Sequence, residues 1–505
     1  MNALEATLAA YSARDGVAYR LTNFRHRHLA SEPIALSPFQ PGGEPFAVAA
    51  LAYGTGPGPY QLALAGQPLD RVQLFESLLP AARWFNTRFE APWGLRQHVT
   101  RGVRNPREVE LAPDAPQVIV TNPGVVKFLS SMGRRLAFLP TEATEGGPPP
   151  APPELVRLGR HLVFATRRYR EPGQQVLLDM TTLAGATWAT AQTPAERANL
   201  AALFAWVERP GGLDGFTAAF LAEGLSAGPI PNPSAEDEII EMVERLGEAR
   251  KAGDRAGESD ARAEVEAAYR ALLDPVWDLL WRVRAAVLEI PEEARYMTRR
   301  LTLDAEAYSQ HMAWMDGPTA GRRRTRDTVP QAIWARRKAE AEAAMLEAEE
   351  TISDPLRLIP LLLDHKAVEG AISERDFDRS EVKHGNRRAS AAPRLELRTA
   401  NPSLMPVGKE LWWADDPGRV CAEVRAVEDD PAGPGSLVDL VIVKGATLVT
   451  GLRTAQTACF SELTTDSFPA TYPSQSVPFT HVPAQPDSGP DHIEPEGDQA
   501  PAVAP

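Results

Sequence analysis

The sequence predicts an α+β protein of several domains. Apolar residues recur at helical spacing along much of the chain, and short β-branched runs separated by Gly and Asp-Pro turns cluster near the C-terminal end. Pro-rich breaks divide these regions from one another. With 505 residues, of which 43% are hydrophobic, the chain is long enough for about three domains with cores of their own.

Residues 1–140 are predicted to form a mixed α/β domain. Strand-like runs in its first half are followed by a helical pattern over residues 69–89. Asn122 and Pro123 then follow a β-branched run in the order expected of a helix N-cap and first helical residue.

A helical domain is predicted at residues 154–231, after a stiff Pro-rich linker at residues 146–153. Its clearest feature is the capping box from Thr193 to Glu196, in which each side chain accepts a backbone N–H at a helix start.

Residues 234–371 are predicted to form a helical arm with a coiled-coil-like hairpin. The seam of this hairpin alternates steps of four and three through Val265, Tyr269, Leu272, Val276, Leu279, Val283 and Val287. We expect a kink or a new helix start at Pro275, because proline lacks the N–H that a helix needs. A second helix at residues 331–352 is expected to pack back against the first.

A small β-barrel is predicted at residues 393–456, and a disordered tail at residues 467–505. Four short strands separated by turns carry the barrel prediction, at residues 395–398, 410–413, 420–427 and 438–443. The tail is rich in Pro, Ser, Gly and acidic residues, which bury too little apolar surface to fold.

Composition favours a cytoplasmic protein without a membrane contact. Residues 1–20 lack the basic and apolar regions of a signal peptide, and no apolar run approaches the ~18 residues of a membrane span. Cys421 and Cys459 are too few for a disulfide framework or a four-cysteine zinc site, so two free thiols are expected. We predict no cofactor, no metal site and no catalytic residue. The excess of Arg over Lys, with abundant Ala, Gly and Pro, is typical of a high-GC bacterial genome.

Arginine clusters are the best candidates for contact with a partner. The formal net charge of −14 repels nucleic acid at long range, so any such contact must be local. The predicted nucleic-acid-binding residues are Arg322, Arg323, Arg324 and Arg326 in the connection between the two arm helices, Arg387 and Arg388 before the barrel, and Trp413 as a stacking platform in a barrel strand. Two further arginine groups contain Arg96, Arg101, Arg104 and Arg107, and Arg160, Arg167, Arg168 and Arg170.

One short motif would fit an enzyme. Glu381 and Lys383 match the Glu-x-Lys half of a metal-dependent nuclease core, in which the carboxylate binds Mg²⁺ and the lysine stabilises developing charge. The polar flanks are unlike a buried strand, so a solvated loop is the competing interpretation.

The C-terminal half resembles an accessory region of Upf1-like superfamily 1 helicases, in which a helical stalk lies beside a small barrel. Residues 402–413 (Pro-Ser-Leu-Met-Pro-Val-Gly-Lys-Glu-Leu-Trp-Trp) are similar to its first barrel strand, and residues 476–481 (Ser-Val-Pro-Phe-Thr-His) to its exit segment. The ATP-binding motifs of these helicases are absent from the sequence. The resemblance therefore implies a companion to a separate motor and transfers no catalytic residue.

These observations predict a non-catalytic adaptor that contacts DNA, RNA or a partner ATPase through the arm and the barrel. Two alternatives stay open. One is a Mg²⁺-dependent nuclease that uses Glu381 and Lys383, and the other is a structural protein that self-associates through the seam.

Overall fold

A mixed sheet with helices on both faces organises the first half of the chain. The computed structural model describes residues 3–40, 47–65, 69–101, 106–230, 233–318, 328–381 and 389–465. The elements of this half are α1 (Ala3–Asp15), β1 (Tyr19–Arg20), β2 (Ile34–Phe39), β3 (Ala50–Gly54), β4 (Gln61–Leu64), α2 (Arg71–Glu90), β5 (Gln97–Arg101), β6 (Arg107–Leu111), β7 (Val118–Val120), α3 (Pro123–Leu136), α4 (Pro153–Arg168), β8 (Leu177–Asp179), α5 (Met180–Thr187), β9 (Trp188–Ala189), α6 (Leu200–Glu208) and α7 (Gly215–Ala222). The main sheet has the strand order β4-β3-β2-β7-β8. Its strands β2, β7 and β8 are parallel to one another. Strand β3 is antiparallel to β2, and the edge strand β4 is antiparallel to β3.

Alternate residues of the sheet strands pack into two separate hydrophobic cores. Leu36, Val118 and Leu177 belong to the core beneath α2, α3 and α4. Their neighbours Ile119 and Leu178 belong to the core on the opposite face, beneath α5 and α6. This is the alternation expected of strands that are buried on both sides. The result is a three-layer arrangement, and the predicted α+β composition of the chain is confirmed.

The expected boundary between residues 1–140 and residues 154–231 is not a domain boundary. Strand β8 pairs with β7 in the same sheet, and α4 packs against α3. The Pro-rich segment at residues 146–153 only connects these two helices. A stiff linker joins packed elements as readily as separate domains, so its composition did not decide between the two.

Five helices follow: α8 (Pro233–Ala252), α9 (Arg255–Leu288), α10 (Met297–Asp316), α11 (Val329–Ile352) and α12 (Pro355–Leu363). The prediction that the seam of α9 belongs to a helical arm is wrong. Val265, Val276, Val283 and Val287 are fully buried, in the same core as the sheet residue Ile119. The apolar stripe of α9 therefore covers the sheet, and it is not available for self-association.

Two further expectations about the arm concerned Pro275 and the partner of α9. Of the kink or new helix start expected at Pro275, the new start is wrong, because α9 runs from Arg255 to Leu288 with Pro275 inside it. Burial of Leu273 and Val276 on either side of the proline stabilises a helix that lacks one hydrogen bond. The partner of α9 is α8 and not the second predicted helix, with Arg245 Nη2 of α8 2.9 Å from Glu264 Oε2 of α9.

Six strands form a closed barrel at the C-terminal end of the described chain. The remaining strands are β10 (Ala367–Asp376), β11 (Ser380–Glu381), β12 (Ser390–Ala391), β13 (Arg394–Thr399), β14 (Glu410–Trp413), β15 (Cys421–Asp429), β16 (Ser436–Lys444) and β17 (Thr457–Ser461). The barrel order is β10-β13-β16-β15-β14-β17, and β17 pairs with β10 to close it, whereas β11 and β12 pair separately. The barrel therefore extends beyond the predicted residues 393–456 at both ends. The predicted tail lies outside the described residues. Cys421 and Cys459 are free thiols, as expected.

Candidate nucleic-acid interface

The crevice where open α/β sheets usually bind ligands is filled by the chain itself. Ligands of such sheets lie beyond the carboxyl ends of the parallel strands. Here Thr121 Oγ1 donates to the carbonyl of Ala227 at 2.6 Å, and Asn122 Nδ2 donates to the carbonyl of Gly228 at 2.8 Å. The N–H of Gln40 donates to the carbonyl of Pro229 at 2.8 Å. The polar groups after β2 and β7 thus bind residues 227–229 and leave no place there for a nucleotide.

A cavity of about 330 Å³ lies between the loop after α4, the start of α5 and the junction of α11 with α12. Much of its charged lining is paired within the protein: Glu350 accepts hydrogen bonds from Arg27 and Arg357, each at 2.7 Å. Asp179 accepts from the hydroxyl of Tyr169 at 2.7 Å. Arg170 is the exception, because it lines the cavity, is exposed and makes no ion pair with a described residue.

Positive charge is concentrated in another part of the first half. Residues 71–170 contain 15 basic and eight acidic residues, a formal charge of +7 within a chain of −14. This segment includes α2, α3 and α4, which cover one face of the sheet and which we call the basic helical layer. A basic layer on an otherwise acidic protein creates a local field that attracts polyanions.

The close crossing of α3 and α4 joins the basic residues of the two helices. A Cβ atom at Gly159 would lie 2.5 Å from the amide nitrogen of Ala137, so glycine is needed for this approach. Arg160 Nε lies 3.4 Å from the carbonyl oxygen of Ala137, just after the last turn of α3. Arg134 belongs to that last turn. The crossing therefore places Arg160 of α4 beside the C-terminal end of α3, whose last turn contains Arg134.

The guanidinium groups of α4 differ in how they are neutralised. Arg157 pairs with Glu90, at 3.0 Å between Nη2 and Oε2, and lies 3.6 Å from Asp316 Oδ1. Arg160 makes no ion pair with any residue that the structure describes, and its guanidinium lies 6.0 Å from the ring centroid of Trp314. Burial, and to a smaller extent the charge of Arg157, lowers the pKa of Arg160. Arg160 stays protonated at neutral pH. Because burial and the nearby Arg157 disfavour its charge, a bound anion would stabilise it.

Helix dipoles explain only part of this charge. Arg88, Arg134 and Arg167 lie in the last turns of α2, α3 and α4, where positive charge interacts favourably with the dipole. Arg157 and Arg160 lie in the middle of α4 and have no such explanation. Lys127, Arg134 and Arg167 are exposed, and none forms an ion pair within the described ranges. Their charges face solvent and are available to a partner.

A two-stranded ribbon, formed by β5 and β6, projects beside the basic helical layer. It pairs with no other described strand, and most of its residues are exposed. Its base is anchored: Trp93 Nε1 donates to Asp316 Oδ2 at 2.9 Å, and Ser309 Oγ accepts the N–H of Ala112 at 2.8 Å. Because Asp316 also lies beside Arg157, the ribbon and α4 share an anchor on α10.

Most of the residues predicted to bind nucleic acid cannot be placed. Arg322, Arg323, Arg324, Arg326, Arg387 and Arg388 all lie outside the described residues. Trp413 is described, and it packs against the hydrophobic core of the barrel, as does Leu411 two residues earlier. Trp412 points the other way, with Lys444 Nζ 4.8 Å from its ring centroid. A stacking role on the barrel surface therefore suits Trp412 better than Trp413.

The surroundings of Glu381 do not resemble a metal site. Its carboxylate oxygens lie 2.7 Å from Arg379 Nη2 and 3.4 Å from Arg425 Nη2. Within the described ranges, no three His, Cys, Asp or Glu residues are grouped so that they could hold a metal ion. Lys383, the other half of the motif, lies outside those ranges.

Basic residues on the barrel are mostly neutralised by neighbours. Arg394 Nε lies 2.7 Å from Asp439 Oδ1, Arg398 Nε lies 3.1 Å from Asp430 Oδ2, and Lys409 Nζ lies 3.0 Å from Glu462 Oε2. Residues 367–465 contain 12 basic and 15 acidic residues, a formal charge of −3. The barrel is thus less suited to a polyanion than the basic helical layer.

Sequence reasoning found some members of the layer and missed others. The group around Arg160 was recognised from its density, as was the group around Arg96 in and beside the ribbon, but Lys127, Arg134 and Arg157 were not. A charge count in windows of about a hundred residues would have found the basic segment. That its helices lie on one face of a sheet depends on the fold.

No helix in the described part of the chain is long and apolar enough to span a bilayer. Comparison with protein-family models, with curated proteins and with solved structures finds no match to this chain.

Proposed function

We propose that this protein is a non-catalytic adaptor that binds nucleic acid through the basic helical layer. The observation that carries the proposal is the formal charge of +7 on α2, α3 and α4, which contain ten basic and three acidic residues and cover one face of the sheet in an acidic protein. Phosphate contacts by Arg and Lys supply most of the affinity of such surfaces. Long-range repulsion by the remainder of the chain would keep the binding modest and strongly dependent on salt.

The test is binding of a fluorescent DNA duplex, measured by anisotropy over a range of salt concentrations. The test variant changes Lys127, Arg134 and Arg167 to Ala, because these side chains are exposed and leave no ion-pair partner behind. Each lost phosphate contact should lower the slope of log K against log salt by about 0.9. We expect the affinity at low salt to fall at least about tenfold, since three such contacts are removed.

A matched control is available on α11. Lys338, Arg336 and Arg337 are also one lysine and two arginines on an exposed helix surface, and their change to Ala removes the same formal charge. Unlike the test residues, Arg336 and Lys338 are in exposed ion pairs with Glu340 and Glu342, so the control is matched in charge and exposure only. The control should retain the wild-type salt slope. The proposal fails if the wild-type protein binds neither duplex nor single-stranded DNA at low salt, or if the control loses as much affinity as the test variant.

We propose that the barrel contacts a protein and not nucleic acid. Because its basic residues are paired, the change of Arg398, Lys409 and Arg425 to Ala should leave the nucleic-acid affinity unchanged. A balanced, paired surface is more typical of contact with a protein. The resemblance to helicase accessory regions makes an ATPase the partner that we propose for it. A fall in affinity in this variant would instead assign nucleic acid to the barrel.

A further inference from the structure

We infer that the cavity between the loop after α4, the start of α5 and the junction of α11 with α12 binds a small anion that has an apolar body. This inference goes beyond the proposed function and does not depend on it. The cavity measures about 330 Å³. Small-molecule sites in proteins occupy roughly 300–1,000 Å³, so a compact organic molecule would fit. The cavity lies beside β8, an edge strand of the main sheet, and residues 22–27, α11 and α12 complete its walls.

Apolar side chains form one part of the lining. Phe24, Leu178, Leu183 and Leu346 all line the cavity. Leu346 of α11 lies close to the loop after α4, where a Cβ atom at Gly173 would be 3.4 Å from its Cδ1 atom. The φ angle of Gly173 is +75°, which glycine adopts without strain, so this loop can turn against α11. These walls would remove the apolar body of a ligand from water.

Positive charge on the lining is not fully balanced. Arg27 and Arg357 both donate to the carboxylate of Glu350, so two cations share one anion. Arg170 makes no ion pair with a described residue. Arg25, the remaining arginine of the lining, is paired with a carboxylate outside the cavity. An anionic head group accepts hydrogen bonds from guanidinium groups and would neutralise the excess charge.

The acidic groups of the lining are already bound within the protein. Glu171 pairs with Arg168. Asp179 accepts the N–H of Thr182 at 2.8 Å and the hydroxyl of Tyr169 at 2.7 Å. Burial raises the pKa of Asp179, because it disfavours the charged carboxylate that a cation would need. The lining therefore favours an anion over a cation.

His26 adds a buried polar group to the wall of the cavity. Its side chain is 4% exposed, and neither ring nitrogen forms a hydrogen bond with a residue that the structure describes. Its Nε2 atom lies 3.7 Å from Asp354 Oδ2, which is too long for a hydrogen bond. A buried polar group without a hydrogen bond costs free energy. A ligand oxygen that accepts the imidazole N–H would remove this cost.

The experiment uses two fluorescent probes, anilinonaphthalene sulfonate and phenylnaphthylamine, which share their rings and differ in the sulfonate. Both emit more strongly in an apolar site, so titration of the folded protein measures their dissociation constants. We expect the sulfonate probe to bind at one saturable site. It should bind at least about tenfold more tightly than the neutral probe, which is the effect of one charge-assisted hydrogen bond.

Two variants locate the probe in the cavity. Arg170→Ala should weaken binding of the sulfonate probe about tenfold and that of the neutral probe less than about twofold, because only the anionic group contacts the guanidinium. Leu346→Trp should weaken binding of both probes at least about tenfold, because the larger side chain fills the cavity. Far-UV circular dichroism checks that each variant folds.

Two matched controls lie outside the cavity. Arg20 is another exposed arginine that makes no ion pair with a described residue, and Phe220 is an apolar side chain that is 70% exposed. Arg20→Ala and Phe220→Ser should bind both probes as the wild type does. Phe220→Ser also tests whether the probes bind an exposed apolar surface instead, and loss of their binding in this variant would contradict the inference.

Three results with surface variants or wild-type protein would also overturn the inference. They are the absence of saturable binding of the sulfonate probe, equal affinity of the wild type for both probes, and equal affinity of Arg170→Ala and Arg20→Ala for the sulfonate probe. None of them requires Leu346→Trp to fold, because Arg170 and Arg20 are exposed. The titrations contain no DNA, so failure here is distinct from failure of the proposed function.

Discussion

The imidazole of His161 lies 2.9 Å from that of His311, measured between Nδ1 and Nε2, where α4 packs against α10. The other nitrogen of His161 lies 2.7 Å from Glu90 Oε1 at the end of α2. Phe164 stacks on His311, with 4.4 Å between ring centroids. When both rings are neutral, His161 donates to Glu90 and accepts from His311, so one row of hydrogen bonds joins the basic helical layer to α10.

This row predicts that the protein loses stability in mild acid. Burial lowers the pKa of His161, although Glu90 partly opposes the shift, and burial lowers the pKa of His311 well below its ordinary value. Below about pH 6.5 the unfolded chain takes up protons that the folded protein does not. The free energy of unfolding should therefore fall between pH 7.5 and 5.5, by up to about 1.4 kcal/mol per pH unit for each histidine. Urea titrations at the two pH values measure it.

Variants separate this effect from other titrations. His311→Phe keeps a flat ring against Phe164 and removes one titrating group, so its stability should depend less on pH than that of the wild type. His98, whose side chain is 70% exposed, provides the control, because His98→Phe should leave the dependence unchanged. The lowered pKa of Glu90 acts only below about pH 4.5, outside the window. A wild-type stability that is flat or rises toward pH 5.5 would contradict the prediction.

A buried ion pair predicts that removing one partner lowers the stability strongly and that replacing both partners recovers most of the loss. Arg300 Nη2 of α10 lies 3.0 Å from Glu349 Oε2 of α11, and both side chains are 2% exposed. Glu349→Ala should cost about 3–5 kcal/mol, because it leaves a buried guanidinium whose nearest remaining carboxylate is Glu350, at 4.0 Å. The double change to Arg300→Met and Glu349→Leu should recover most of that loss. Urea unfolding at pH 7.5 measures both.

The exposed pair on α11 is the control for this prediction. Arg336 Nε lies 2.9 Å from Glu340 Oε1, but the two side chains are 83% and 61% exposed. Arg336→Ala should therefore change the free energy of unfolding by less than about 1 kcal/mol. A loss of similar size in Glu349→Ala would mean that the burial of its pair does not set the energy.

The open edge of the main sheet yields a third prediction. The side-chain amide of Gln174 donates to the carbonyl of Leu177 at 2.7 Å and accepts the N–H of Leu177 at 2.9 Å, so it occupies the free edge of β8. Gln174→Ala should cost about 1–3 kcal/mol, because a buried donor and acceptor are left unpaired. Exposed strand edges also pair between molecules, so light scattering should detect more association on heating. Gln61→Ala, on the exposed edge strand β4, should neither lower the stability by this amount nor increase association.

Local patterns predicted elements better than they predicted neighbours. The helical pattern at residues 69–89 corresponds to α2, and the four predicted barrel strands correspond to β13, β14, β15 and β16. The hydrogen bonds of the capping box were also found, with the N–H of Thr193 2.6 Å from Glu196 Oε2. The box precedes a 3-10 turn at Glu196–Ala198, however, and the helix α6 is capped by Asn199 instead. Each of these signals depends on residues a few positions apart, where chain connectivity makes the contact almost unavoidable.

The seam of α9 shows why the remainder was not predictable. Apolar steps of four and three mark one face of a helix, and that face can cover another helix or a sheet. Val283 packs in the core beneath the sheet, and nothing in its spacing distinguishes this environment from a coiled coil. The hydrogen bond from Arg300 to the carbonyl of His26 could not be predicted either, because the two residues are 274 positions apart in the chain although these atoms are 3.1 Å apart in space.

The crossing of α3 and α4 provides a prediction that connects stability with binding. A methyl group at Gly159 would lie 2.5 Å from Ala137 N and 2.6 Å from Leu136 Cβ, and the backbone atoms among these neighbours cannot move aside. Gly159→Ala should therefore cost about 1–3 kcal/mol, and it should also push the last turn of α3 away from Arg160.

Gly185 in α5 provides the control, because it has nothing within 4 Å of such a methyl group. Gly185→Ala should instead stabilise the helix by about 0.5–1 kcal/mol. Thermal unfolding of both variants measures the difference, and the DNA affinity of the folded Gly159→Ala protein measures the displacement. If Gly159→Ala is as stable as wild type, the two helices do not approach as closely as this geometry requires, and the position of Arg160 beside the end of α3 loses its structural basis.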